Sequence, residues 1–333
     1  MASITTNKLI ALTVKPGLLI SMLGVALTGC EAPLNLEGVE QEKAKSVRRT
    51  DQFQNITANN DVIVAVGNDG LVLTSPVDKI EWTRQSPNTS YSLIDVAVCP
   101  DQSFVALSMD KQVWFSGDNG VNWRPSQLPT PEDVLDLTCA PDNSIWVVGS
   151  FSTVLNSKDQ GQSWNETTLN EDAMLTGIQF LDSNTAIVTG EFGLVSRSDD
   201  AGQSWNTPEY IPNDFYTQGA LFTSKETGWV AGLSGQILYT NDAGLSWTKQ
   251  TTPTESPLYG FYQAGPKLFA FGDHGTILEY TGMDWKKLPP QGKPVYLRGA
   301  QKLSDGKLLL AGGSGSLYTL EIASSENSQI SQK

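Results

Sequence analysis

Apolar residues in this chain come in runs of five to seven, rich in Val, Ile, Leu and aromatics, and Gly, Asp, Asn or Pro closes each run. Runs that short, bounded by turn formers, predict β-strands. In LDLTCA, SIWVVG, TVLNS and QSWNETT four of them follow one another, joined by PDN, by a degenerate turn over 150–152 and by DQG. No stretch beyond the N-terminus has a convincing helical period.

The four-run unit recurs. SGDNGVNW, SKDQGQSW, SDDAGQSW and TNDAGLSW end at Trp123, Trp164, Trp205 and Trp247, and eroded copies end at Trp82 and Trp285. A second marker, a Gly-x-x-Gly turn between two apolar runs, appears at Gly67/Gly70, Gly190/Gly193, Gly232/Gly235, Gly272/Gly275 and Gly312/Gly315. LSMDKQVWF and VGSFSTVL hold the same place with one or both glycines lost, so this marker counts seven. Four strands per ~40 residues is the blade of a β-propeller, and seven blades need about 280 residues, which 47–320 supplies. The expected fold is therefore all-β: a seven-bladed β-propeller of four-stranded antiparallel blades over 47–322, with a polar tail over 323–333. The seventh unit shows only three clear strands. Closing the ring then asks for a strand from the segment before Phe53, around 45–50, so that no edge is left open.

The first 29 residues hold Lys8, Lys15, no acid and the apolar stretch LLISMLGVALTG, the form of an export signal. The signal ends in Leu27-Thr28-Gly29-Cys30, which resembles a bacterial lipobox, so Cys30 is the expected lipidation site and residues 30–46 a polar tether. An acyl anchor of that kind is durable at ~0.8 kcal/mol per buried methylene. With Glu31 following the cysteine, the address favoured is an exported protein facing the periplasm from the outer membrane, or the thylakoid lumen in a photosynthetic cell. The net charge of −14 argues against nucleic acid as a partner. Asn55, Asn88 and Asn165 head N-x-[ST] strings, which matter only in a eukaryotic secretory route. Cys99 and Cys139 occupy nearly the same place in adjacent units but one residue out of phase, which favours two buried thiols over a disulfide.

In Ser/Thr-x-Asp-x-Gly-x-x-Trp the aspartate closes a hairpin tip, the glycine supplies a left-handed backbone angle and the tryptophan lies against the blade. Structural roles are expected for Ser116, Asp118, Gly120 and Trp123; for Ser157, Asp159, Gly161 and Trp164; for Ser198, Asp200, Gly202 and Trp205; and for Thr240, Asp242, Gly244 and Trp247. Calcium wants six to eight oxygens from a tight loop, and each string offers one certain carboxylate, so no metal and no cofactor is expected. The string is the Asp-box. Together with seven units and a lipobox-like N-terminus, and best in TGWVAGLSGQILYTNDAGLSW over 227–247, the chain resembles the photosystem II assembly and stability factor family. The resemblance extends over roughly 53–320. It implies a non-enzymatic propeller at a membrane surface that holds a protein subunit of a membrane complex; related lipoproteins look like accessory factors of envelope complexes or exporters. Photosynthetic members are expected to carry an arginine-lined patch, whereas Arg48, Arg49, Arg84, Arg124, Arg197 and Arg298 are scattered here.

The rival class is an Asp-box glycoside hydrolase or glycan-binding protein. Its sialidase form needs three convergent arginines, and the first-blade Arg-Ile-Pro pattern is absent. His274 is the only histidine, at the tip of a turn, which supports neither a triad nor a zinc site. No catalytic residue is expected. In a four-strand meander the Gly-x-x-Gly turns and the links between blades share one face, called here the link face; the Asp-box turns share the other. The link face should carry Asp69, Asp110, Glu191 and Asp273, with Tyr210, Phe215 and Tyr216 in the longest link. Exposed aromatics beside acids suit a protein or peptide with basic and apolar groups. Cover of a blade edge is the equal alternative for the aromatics, and acids on both faces leave charge alone unable to choose a side. Oligomeric state is not readable.

Overall fold

The computed structural model describes residues 36–322 apart from 86 and 290. The signal segment, Cys30 and the 323–333 tail lie outside the described residues. The chain divides into a unit up to Ala44 and a unit from Lys45 onward. In the first, the stretch read as a tether contains a two-turn helix, Glu37–Lys43, with acids in its first turn, a lysine in its last and no buried residue. A Lys43–Glu40 ion pair at 3.1 Å lies along it, so local charge placement rather than an apolar face supports it.

The second unit is a ring of seven antiparallel sheets in simple meander order, spanning 53–85, 93–127, 134–168, 175–210, 219–250, 258–287 and 297–320. Six sheets have four strands, and the seventh has three among the described residues. The second strand of each blade is apolar at nearly every position because it is covered on both faces: Phe104–Ser108, Ile145–Gly149, Ala186–Gly190 and Leu308–Gly312 are buried throughout. Alternate residues of one strand serve two different cores. Val64 and Val66 pack toward blade 2, while Ile63 and Ala65 pack toward blade 7. Seven apolar clusters result, one in each gap between neighbouring blades, with no single central core. Outermost strands such as Asn165–Thr168 are exposed.

The ring closes, but not by the strand expected from 45–50. That segment forms no strand and turns instead, with Asp51 N–H donating to Arg48 O and Arg48 N–H to the Asp51 carboxylate, at 3.0 and 2.7 Å. The Arg84 guanidinium clasps Ser46 O and Asp51 Oδ2 at 2.9 and 2.5 Å. Gly315 N–H then donates to Asp51 O at 2.8 Å, as Gly70 N–H does to Tyr91 O and Ser152 N–H to Ala173 O. Residues 45–52 thus do the work of an inter-blade link. The apolar cluster joining Phe53, Ile63 and Leu73 to Leu303, Leu309 and Ala311 completes the circle.

Cys99 and Cys139 form a disulfide, contrary to the free thiols expected. Cys139 is the last residue of its inner strand and Cys99 lies just past the end of its own, Leu93–Val98, so strict strand alternation does not fix where the Cys99 side chain points. Converging inner strands bring the two Cα atoms to 5.0 Å, within bridging range. The bond staples blade 2 to blade 3 at the Asp-box end.

Candidate functional site

Inner strands line a central channel of about 510 Å³. Six of the seven inner strands carry a register shift at their third residue, after Phe53, Leu93, Val134, Leu175, Leu258 and Leu297. The residues there are Asn55, Asp95 and Asp136 in blades 1 to 3, then Gly177, Gly260 and Gly299. At the polar positions the side chain crosses to the next blade. Asn55 Nδ2 donates to Asp95 Oδ1 at 2.5 Å, Leu137 N–H to Asp95 Oδ2 at 3.0 Å and Ile178 N–H to Asp136 Oδ2 at 2.8 Å. At Gly299 the backbones approach directly, and a Cβ there would lie 2.8 Å from Ile56 N. Burial in the channel wall, and then the neighbouring Asp95 charge, hold the Asp136 carboxyl well above the usual carboxylate range. This polar run clamps blades 1 to 4. Asn55, one of the three N-x-[ST] asparagines, is consumed in it. At the link-face mouth, Arg298 stacks between Tyr259 and Tyr296, 5.1 and 5.9 Å from their ring centroids.

Each Asp-box closes by the same bonds. In the third blade Ser157 Oγ donates to Asp159 Oδ1 at 2.8 Å, and Gly161 N–H donates to Ser157 Oγ at 2.8 Å. Ser163 N–H gives a further bond to Asp159 Oδ1 at 2.8 Å, and its hydroxyl one to Oδ2 at 2.5 Å. Asp118, Asp200 and Asp242 repeat the pattern with Asn122, Ser204 and Ser246. These donors, the Ser163 and Ser204 hydroxyls foremost, pull Asp159 and Asp200 down to about 2. Much of this work falls to the residue before the tryptophan, through both its backbone N–H and its side chain. Trp123 and Trp247 donate their indole N–H to Gly120 O and Gly244 O, and Trp164 to Ser126 Oγ of the preceding blade. The buried Trp205 indole N–H has no acceptor among the described residues. The box glycines pack on the blade before, where a Cβ on Gly202 would meet the Trp146 ring at 2.3 Å.

Asp69, Asp110, Glu191 and Asp273 all sit in turns of the link face, and local bonds engage each of them. Asn68 Nδ2 donates to Asp69 at 2.8 Å, Ser108 Oγ to Asp110 at 2.5 Å, Met174 N–H to Glu191 at 3.0 Å and His274 N–H to Asp273 at 2.8 Å. His274 is exposed and lies 3.4 Å from that same Asp273. Tyr210 and Tyr216 are exposed; partial burial first, and then the nearby carboxylates of Glu171 and Glu191, raise both phenols. Phe215 does not join them. It is buried in the gap between blades 4 and 5 with Ile187, Ile211 and Val230, so one of the three aromatics has a core to fill after all.

Two aromatics on this face escaped the sequence reading. Phe151 and Phe192 occupy the third position of the Gly-x-x-Gly turns of blades 3 and 4, at φ of 51° and 57°, and are 58% and 52% exposed. Their signal was legible: the equivalent residues in blades 1, 5, 6 and 7 are Asp69, Ser234, His274 and Ser314, small or polar types suited to a left-handed backbone. Among the described residues no three His, Cys, Asp or Glu side chains gather to hold a metal ion, and no helix is long and apolar enough to cross a membrane.

These features define a closed seven-bladed Asp-box propeller with an acidic, aromatic link face. Residues 121–214, which contain blades 3 and 4, match the family model described as Photosynthesis system II assembly factor YCF48, in line with the resemblance carried by the repeats. Among solved structures, YCF48 from Cyanidioschyzon merolae aligns with a TM-score of 0.68 at 14% identity, covering 81% of this chain and 95% of that one. A structure of YCF48 bound to D1 peptide aligns with the same score and identity over 82% and 93%. Virginiamycin B lyase from Staphylococcus aureus aligns at 0.72 and 14% identity over 83% and 96%. At such identities the likeness is one of fold, and this ring serves an enzyme as readily as an assembly factor. No curated protein matches the chain.

Proposed function

We propose that this chain is a non-catalytic, protein-binding propeller that acts as an assembly or stability factor for a membrane complex. The observation that carries the reading is the match of residues 121–214 to the photosystem II assembly factor family. That stretch supplies the exposed Phe151, Phe192 and Tyr210 together with the Glu171 and Glu191 carboxylates. The client is a protein subunit of the complex, held on the link face, while the Asp-boxes brace hairpins and take no part in chemistry. Lipidation at Cys30 attaches the protein to its membrane, facing the periplasm or, in a photosynthetic cell, the thylakoid lumen. The Cys99–Cys139 disulfide supports an oxidising compartment of that kind.

Purification of the tagged full-length chain from membranes after in-cell crosslinking tests this reading. A subunit of one membrane complex should be recovered in a defined ratio, and Cys30→Ser should move the chain from the membrane to the soluble fraction. Recovery of no such subunit, or turnover of fluorogenic glycosides by the purified chain, would overturn it.

A further inference from the structure

Phe151 and Phe192 stand in the structure at a cost that the fold does not recover. A bulky side chain in the left-handed region is strained, and one left more than half exposed recovers little of that cost by burial. Asparagine would hold the same turn with less strain. Two such residues on adjacent blades, among turns otherwise tipped by Asp, Ser and His, mark a selected surface.

The two turns are tied to one short link. Ser152 N–H donates to Ala173 O at 2.7 Å, and Glu191 N–H donates to Met174 O at 2.9 Å. Ser152 Oγ binds Glu171 through both its backbone groups at 3.0 Å. Beyond the second turn Ile211 N–H donates to Gly193 O at 2.8 Å, which places Tyr210 beside it, with its phenol near the Glu171 carboxylate. Phe151, Phe192 and Tyr210 therefore stand around one acidic segment. Charge on this sector is predominantly negative: Lys111 of blade 2 pairs with Asp133 at 3.7 Å, and across residues 125–224 the only basic residues are Lys158 and Arg197. Both belong to the Asp-box end, Lys158 within a box and Arg197 paired with Asp199 at 2.7 Å. The links carry Glu132, Asp133, Glu171, Asp172 and Asp214, and Glu209 stands in the last strand of blade 4.

We infer that Phe151 and Phe192 are the anchors of a docking site for a peptide segment that alternates apolar side chains with arginine or lysine. The apolar side chains cover the two phenyl rings and the cations sit on Glu171, Glu191 and their neighbours. Charge complementarity selects this occupant, because an acidic or purely apolar segment would leave the carboxylates repelled or stripped of water. The inference rests on the protein-binding reading above and names the place and the chemistry of the contact.

The test is fluorescence anisotropy with the full-length chain and a labelled peptide alternating leucine with arginine, beside its glutamate-for-arginine twin and a neutral hexasaccharide of N-acetylglucosamine. The arginine peptide should bind at least tenfold more tightly than its twin, and Phe151→Asn with Phe192→Asn should weaken it by roughly 30-fold, as for a pair of hot-spot anchors. The double variant should melt no lower than the wild type, since asparagine relieves the turns. A drop in melting temperature of several degrees would make the rings structural and overturn the inference. Equal binding of the two peptides, unchanged binding by the variant, or capture of the hexasaccharide in place of the peptide would do the same. The two proposals fail separately. If the membrane pull-down recovers its subunit equally well with the double variant, the site is wrong and the scaffold reading stands; if the arginine peptide binds as expected but the wild type recovers no subunit, the reverse holds.

Discussion

Replacing Asp136 with asparagine should leave the propeller as stable as the wild type below the ordinary carboxylate value and make it progressively more stable than the wild type as the pH rises above it. Asp136 accepts from Ile178 N–H at 2.8 Å and lies against Asp95, whose own carboxylate is taken by Asn55 and Leu137. Burial first, and then the Asp95 charge beside it, make the Asp136 carboxyl keep its proton in the folded state. Because the folded state holds it more tightly than the unfolded chain, with its ordinary value of 3.8, the sign is fixed. The stabilisation is complete below that value and is lost as the pH climbs to the raised folded value. One proton contributes at most about 1.4 kcal/mol per pH unit, so two units of climb open a gap of up to about 3 kcal/mol. The asparagine amide keeps an acceptor for Ile178 and a donor for Asp95 but has no proton to lose. Urea unfolding followed by tryptophan fluorescence, at pH values from about 3 upward, gives the two stability curves. Parallel curves, or a variant less stable than the wild type at neutral pH, would refute the proton retained by Asp136.

Reduction of the Cys99–Cys139 disulfide, which closes a 40-residue separation, should lower unfolding stability by about 3–4 kcal/mol; oxidised and reduced protein with the same urea midpoint would count against it. Gly202→Ala should cost about 1–3 kcal/mol more than Gly306→Ala. Both glycines have positive φ, but only the first would drive a Cβ into a neighbouring ring, the other facing open space. Equal melting temperatures for the two variants would mean that the Asp-box glycine does not pack as described.

The blades were legible because a strand covered on both faces must be apolar throughout, while turn chemistry punctuates it at fixed offsets; Ile145–Gly149 and Leu308–Gly312 show this plainly. Ring closure was not, because Asp51 and Arg84 act through backbone carbonyls and one carboxylate that leave no periodic trace. The disulfide was hidden by applying strand alternation one residue past the end of a strand. The side that Phe215 takes stayed open because a long link gives no sign of whether an aromatic turns inward, and here it fills the gap beside Ile211. The channel clamp was missed for a related reason. Asn55, Asp95 and Asp136 are single residues about 40 apart, and only the ring makes them neighbours.

The claim that a membrane-complex subunit sits on the link face is tested most directly by photo-crosslinking in living cells, with a benzoylphenylalanine placed singly on each face. Tyr91 and Tyr216 report on the link face, while Val121 and Leu245, exposed in Asp-box turns, report on the other. The account predicts one discrete adduct to a subunit of a membrane complex from Tyr91 and Tyr216, and none from Val121 or Leu245. Adducts confined to the Asp-box positions, or none from the link face, would contradict it.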